Sequence, residues 1–136
     1  AYTHRTRINV NNKCMNRFIA EKNVDTVFIA KDKHNPKTQD VKLAIGMPII
    51  AHTTNKKMEI LNSQTFTILE VDSKNKLFTI LGCDGLNVMK ISDFHRFFYL
   101  GFCITIHASQ GETYTEKYTI HDWNFSIFCS KAKYVA

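Results

Sequence analysis

Between Thr6 and about Lys22 apolar residues recur at intervals of three and four. Val10, Cys14 and Phe18 fall on one helical face, with Met15 and Ile19 beside it. That spacing predicts an amphipathic helix whose outer side carries Asn11, Asn12, Asn16 and Arg17. The short β-rich run from Thr26 to Ala30 predicts a strand. The polar stretch 31–40, with Asn35-Pro36 inside it, predicts a loop.

From about Val41 the helical period disappears and short β-like runs follow one another: 44–51, 64–71, 76–81 and 87–91. They are separated by Asn55-Lys56-Lys57, Asp72-Ser73-Lys74-Asn75 and Asp84-Gly85, which are turn formers. In the second run Phe66, Ile68 and Val71 roughly alternate with Thr65, Thr67 and Glu70, as expected where one face meets a core and the other meets water. Four or five strands at this spacing predict a small β-barrel. A barrel of that size does not stand comfortably alone, so residues 41–92 read as an insertion in a surrounding unit. After Asp93 the run Phe94 to Phe102 is apolar enough for burial on several sides. It feeds a strand ending in Cys103–Thr113, and Lys117–His121 reads as a further strand. Asp122 to Cys129 predicts a loop and a short helix, and Lys133 to Ala136 the start of a new apolar segment. The fold class expected is α/β, with residues 1–40 and 93–136 forming one unit interrupted by the barrel.

Composition adds a bias towards anionic partners. The 136 residues carry a formal charge of +6, with a sequence pI near 9.2 and cations scattered along the chain. Such a balance favours nucleic acid or nucleotide through their phosphates, although a basic protein with no such partner fits charge alone equally well. Cys14, Cys83, Cys103 and Cys129 lie far apart, without the pairing of zinc sites or the density of a disulfide scaffold. They read as buried thiols in a reducing, intracellular compartment. No apolar run approaches the ~18 residues of a membrane span. The chain opens without Met and stops inside an apolar run, which reads as a piece of a longer protein.

The chemistry concentrates in Cys103–Thr113, where an apolar run turns abruptly into small, polar and glycine residues. Ser109-Gln110-Gly111-Glu112 brings together a hydroxyl, an amide, an unobstructed backbone and a carboxylate, a suitable set for a nucleotide. On a strand, Thr105 and His107 share a face and present two polar groups to a polyanion. Taken alone this is more often an ordinary strand-ending turn. Arg5 and Arg7 gain nothing from the helix dipole, so they read either as phosphate contacts or, by default, as solvated charge. His107 and Ser109 are two apart with no G-x-S-x-G elbow, which argues against a hydrolase. The six histidines have no metal-ligand spacing. Trp123, Phe125 and Phe128 suit stacking on bases, but core is the default.

Thr105-Ile106-His107-Ala108-Ser109-Gln110-Gly111-Glu112-Thr113 closely resembles motif V of superfamily 1 DNA helicases, in particular the RecD-like and Dda-like 5′-to-3′ branch, with its pattern T-x-H-x-S-Q-G-x-[ET]. Gly46-Met47-Pro48-Ile49-Ile50, Asn55 and Leu61-Asn62-Ser63 resemble the run that opens the family's SH3-like barrel. Tyr134-Val135-Ala136 resembles the start of motif VI, and Arg5 to Asn9 more loosely the opening of the second motor domain. Ser63 departs from the glycine usual in the barrel turn. The chain ends before the motif VI arginine, and it contains neither G-x-x-x-x-G-K-[ST] nor a Walker B carboxylate.

The resemblance implies a RecA-like second motor domain (1–40 and 93–136), incomplete at its C-terminus and interrupted by an SH3-like barrel (41–92). It implies an ATP-dependent enzyme, with ATP and Mg2+ held mainly by a separate first motor domain and no catalytic residue within this chain. Gln110, Gly111, Glu112 and Arg7 would face the nucleotide, and Thr105, His107 and Ser109 single-stranded DNA. Loss of the γ-phosphate would then alter the grip on the strand. Replication or repair proteins would be further partners. The rival expectation is a non-catalytic nucleic-acid-binding module built on the small barrel.

Overall fold

A computed structural model describes residues 1–82 and 85–121. The predicted helix forms as α1 (His4–Lys22). Thr3 caps it, its hydroxyl accepting from the Thr6 amide at 3.2 Å. Asn23 ends it in the left-handed conformation (φ 48°), its amide donating to the Ile19 carbonyl. The most deeply buried stripe is not the apolar one expected. It is Arg7, Asn11 and Met15, while Cys14 and Phe18 are only half-buried.

Strands β1 (Val27–Ile29) and β2 (Val41–Leu43) form an antiparallel pair around loop 31–40. That loop closes on itself, with Asp40 accepting from the Lys31 amide and the Thr38 hydroxyl accepting from the Asp32 amide. A second sheet contains β3 (Pro48–Ala51), β4 (Thr65–Asp72), β5 (Leu77–Gly82), β6 (Gly85–Lys90) and β7 (Phe98–Leu100). Its order is β6-β5-β4-β3-β7. A one-turn helix, α2 (Phe94–Phe97), precedes β7.

The inner faces of this sheet supply Ile49, Phe66, Ile68, Phe78, Ile80, Met89 and Phe98, which join Met15 and Leu43 in one core. Phe98 is its centre, meeting Phe66, Phe78 and Phe94 at ring-centroid distances of 5.8–6.1 Å. Gly101 suits the point where β7 leaves β3, because a Cβ there would stand 3.1 Å from backbone atoms of Pro48 and Ile49, a tight contact that the backbone would have to shift to accept.

Two architectural expectations are corrected. The five strands do not close into an SH3-like barrel: β6 and β7 are the two ends of an open sheet and do not pair. β7 has three residues and bonds only β3, and β6 bonds only β5, with its Leu86 and Val88 side chains exposed. The RecA-like assignment fails on strand direction. Such a core needs parallel strands joined by crossover helices, whereas every pairing among the described residues is antiparallel. The molecule is a mixed α/β fold with an open antiparallel sheet.

The apolar run 94–102 is a helical turn plus a short strand, rather than one continuous strand. Neither 103–107 nor 117–121 forms a strand, and the segments expected at 122–129 and 133–136 lie outside the described residues. Among the described residues no helix is long and apolar enough to cross a membrane.

Candidate functional site

The segment after β7 is shaped by a residue 92 positions away in sequence. Asn11, fully buried in α1, accepts from the Cys103 amide at 2.8 Å and donates to the carbonyls of Cys103 (2.9 Å) and Leu100 (3.2 Å). These bonds take up backbone groups that a strand would have used for a ladder. The chain therefore curls into turns: the Ser109 amide reaches the carbonyls of Thr105 and Ile106, and the Glu112 amide reaches that of Ser109. Thr105 and His107 consequently do not share a strand face. Thr105 is buried and His107 exposed.

They do meet at one pocket. A cavity of about 260 Å³ lies between the first turns of α1, loop 31–40, the β3–β4 connection, β7 and the 104–108 turn. His4, Arg7, Lys37, His52 and His107 line it together with Tyr99 and Thr105, and among the described residues no Asp or Glu does. The Thr105 hydroxyl accepts from the Ala108 amide at 3.3 Å, which leaves its own O–H to donate.

Tyr99 organises the wall. The Arg7 guanidinium carbon sits 4.1 Å from its ring centroid, and His52 stacks 4.2 Å away with 22° between planes. His52 Nε2 lies 2.8 Å from the His95 carbonyl. His4 meets the edge of Tyr99, and its Nδ1 accepts from Arg7 Nε at 3.2 Å. Burial, reinforced by the charges of Arg7 and Lys37, lowers the His4 pKa to about 4, so this imidazole is neutral at pH 7 and suited to accept. Burial also lowers the Arg7 pKa and raises that of the Tyr99 phenol.

The nucleotide group expected from sequence is divided. Arg7 stands in the pocket beside Thr105 and His107, whereas Gln110, Gly111 and Glu112 are exposed on the following turn and do not line it. Gly111 has φ 85°, a conformation that favours glycine. Ser109 is half-buried, its hydroxyl donating to the Ile106 carbonyl at 2.7 Å, and it too lies outside the pocket lining. Sequence reasoning did not find Lys37, His52 or Tyr99, which sit on three separate segments and share no motif. Cys14 and Cys103 are free thiols. Among the described residues no three His, Cys, Asp or Glu side chains cluster as metal ligands.

No family model matches the chain, and no curated protein or solved structure matches it. The resemblance to superfamily 1 DNA helicases is corrected accordingly. It was carried most strongly by Thr105–Thr113 and more weakly by segments along nearly the whole chain, and the open antiparallel sheet lacks both the closed barrel and the parallel core that the family requires.

Proposed function

We propose that this chain binds single-stranded nucleic acid, with the pocket between α1, β7 and the 104–108 turn as its point of contact. One observation carries the reading: the cations Arg7 and Lys37, three imidazoles and the Thr105 hydroxyl converge from separate segments, with no carboxylate among the described residues that line the pocket. A strand's phosphates are recognised by such an array, since each contact releases condensed counterions and adds affinity. The exposed Lys37 and His107 form the rim, and the net charge of +6 draws a polyanion towards it. In fluorescence anisotropy a single-stranded oligothymidylate should bind with marked salt dependence. Contact with three or four phosphates implies a loss of roughly 20- to 50-fold between 50 and 200 mM salt. Salt-independent binding, or none at low salt, would sink the proposal.

A second reading is favoured by the continuity of the pocket wall with the exposed turn Gln110-Gly111-Glu112. In it, the strand-binding chain works as part of a longer ATP-driven enzyme that moves along single-stranded DNA. A nucleotide with Mg2+, held chiefly by a separate phosphate-binding domain, would touch this turn at the Gly111 backbone and the Glu112 carboxylate. Because Thr105 and His107 precede the turn directly, the nucleotide state would alter the grip on the strand through a differential contact energy. The intact protein is then expected to lose DNA-stimulated ATPase activity with Glu112→Ala and with His107→Ala. Full activity in both variants rules this reading out.

A further inference from the structure

We propose that the pocket is a seat for a single phosphate group, with the Arg7 guanidinium as its fixed charge. The claim rests on the nucleic-acid reading in taking a strand phosphodiester as the occupant. The chemistry recognised is that of a phosphoryl oxygen anion.

Arg7 is 1% exposed, and three of its faces are held. Nε donates to His4, Nη2 donates to the Lys37 carbonyl, and the Tyr99 ring covers the plane. Nη1 is buried with no hydrogen-bond partner. No carboxylate neutralises the group either: among the described residues the one ion pair joins Arg17 to Glu21 on the far turn of α1. A buried cation without a counter-ion is strongly disfavoured, and a buried donor without an acceptor adds to that cost. A structural arginine at this depth would be expected to carry a carboxylate. An oxyanion in the pocket supplies both the charge and the acceptor, and a guanidinium fork matches phosphate oxygens in geometry. Lys37 and His107 at the rim and the Thr105 hydroxyl provide the remaining donors.

The same geometry says what the seat does not read. The Arg7 guanidinium carbon lies 4.1 Å from the Tyr99 ring centroid, and the His52 ring is stacked 4.2 Å from it. Tyr99 is thus engaged by two planar groups of the protein itself rather than offered to a nucleobase. Recognition stops at the phosphate.

The test measures binding of a twelve-residue oligothymidylate, an abasic strand of equal length, and inorganic phosphate as competitor, to the wild type, Arg7→Met and Lys37→Ala. The seat predicts that both strands bind the wild type within threefold of each other and that inorganic phosphate displaces them. Arg7→Met should lower affinity at least tenfold and reduce the salt slope by about 1, with a urea unfolding midpoint close to that of the wild type or above it. Lys37→Ala, on an exposed side chain, should lower affinity several-fold whether or not Arg7→Met folds. Undiminished binding in Lys37→Ala, or in a folded Arg7→Met, overturns the seat and leaves the strand-binding reading standing. Displacement that fails, or an abasic strand that binds tenfold more weakly, also overturns it. Arg7-dependent binding of inorganic phosphate with no binding of either strand keeps the seat and overturns the strand reading.

Discussion

The outer half of the molecule and the half facing α1 bury different things. In the five-stranded sheet the interior is aromatic and aliphatic, with Phe66, Ile68, Phe78, Ile80 and Phe98 meeting one another and no charged group among them. Under α1 the interior includes Asn11 at 0% and Arg7 at 1% exposure, one helical turn apart. These two polar residues differ in turn. Asn11 uses both ends of its amide and pins residues 100–103. Arg7 keeps one buried nitrogen unpaired. A buried polar group with every partner in place holds a fold together, and one with a partner left over marks where something else binds.

The sharpest way to break that distinction is Asn11→Ala. It strands the Cys103 amide and two carbonyls in the interior, so a loss of roughly 3 kcal/mol is expected from about 1–3 kcal/mol per abandoned group, tempered by water entry. Urea unfolding measures it. A loss below 1 kcal/mol would mean that the 103–112 turn is not held from α1. Arg7→Met should behave oppositely, with stability within about 1 kcal/mol of wild type or higher, because an apolar side chain of similar volume relieves the desolvated charge. A fall of 3 kcal/mol would return Arg7 to the structural class.

The sequence showed α1 through a period of 3.6, β4 through alternation, and β1, β5 and β6 through short β-rich runs between turn formers, but the period of α1 did not record which face is most deeply buried. It misplaced what depends on distant partners. Residues 103–107 have the composition of a strand, but a ladder needs a neighbouring edge, and Asn11 takes the Cys103 backbone first. Asn11 itself read as a surface residue, since nothing local distinguishes an asparagine facing water from one facing a carbonyl 92 residues on. The nine-residue match at 105–113 was misleading about architecture, because a turn of small polar residues is compatible with many folds. Of the pocket, Arg7, Thr105 and His107 were legible as charge and polarity. Lys37, His52 and Tyr99 were not, since tertiary packing alone gathers them.

His4 tests the comparison through pH. Its folded pKa, about 4, lies below the ordinary 6.5, so the neutral imidazole is the form that folding favours. Its contribution is complete above pH 6.5 and drains away as pH falls towards 4, where the unfolded chain takes up the proton first. Protonation removes the acceptor for Arg7 Nε and sets two cations side by side. His95, also lowered by burial, acts in the same window, so the informative quantity is a difference between variants. Stability of the wild type should fall more steeply between pH 6.5 and 4.5 than that of His4→Gln. Parallel curves would show that His4 does not accept from Arg7.

The smallest effect is expected at Ser63, on the sheet side of the pocket. It holds φ 68° with its amide donating to Ala51, a left-handed conformation costing a non-glycine residue about 1–2 kcal/mol. Ser63→Gly relieves that cost but enlarges the unfolded ensemble by about 0.4–1 kcal/mol, leaving a net gain near 0.5 kcal/mol. Oligothymidylate affinity should stay within twofold of wild type, because the groups proposed to bind are fixed from α1, loop 31–40 and the 104–108 turn. If affinity moves with this substitution while Arg7→Met leaves it unchanged, the β3–β4 connection controls the pocket, and the division between a structural sheet and a functional helix face is wrong.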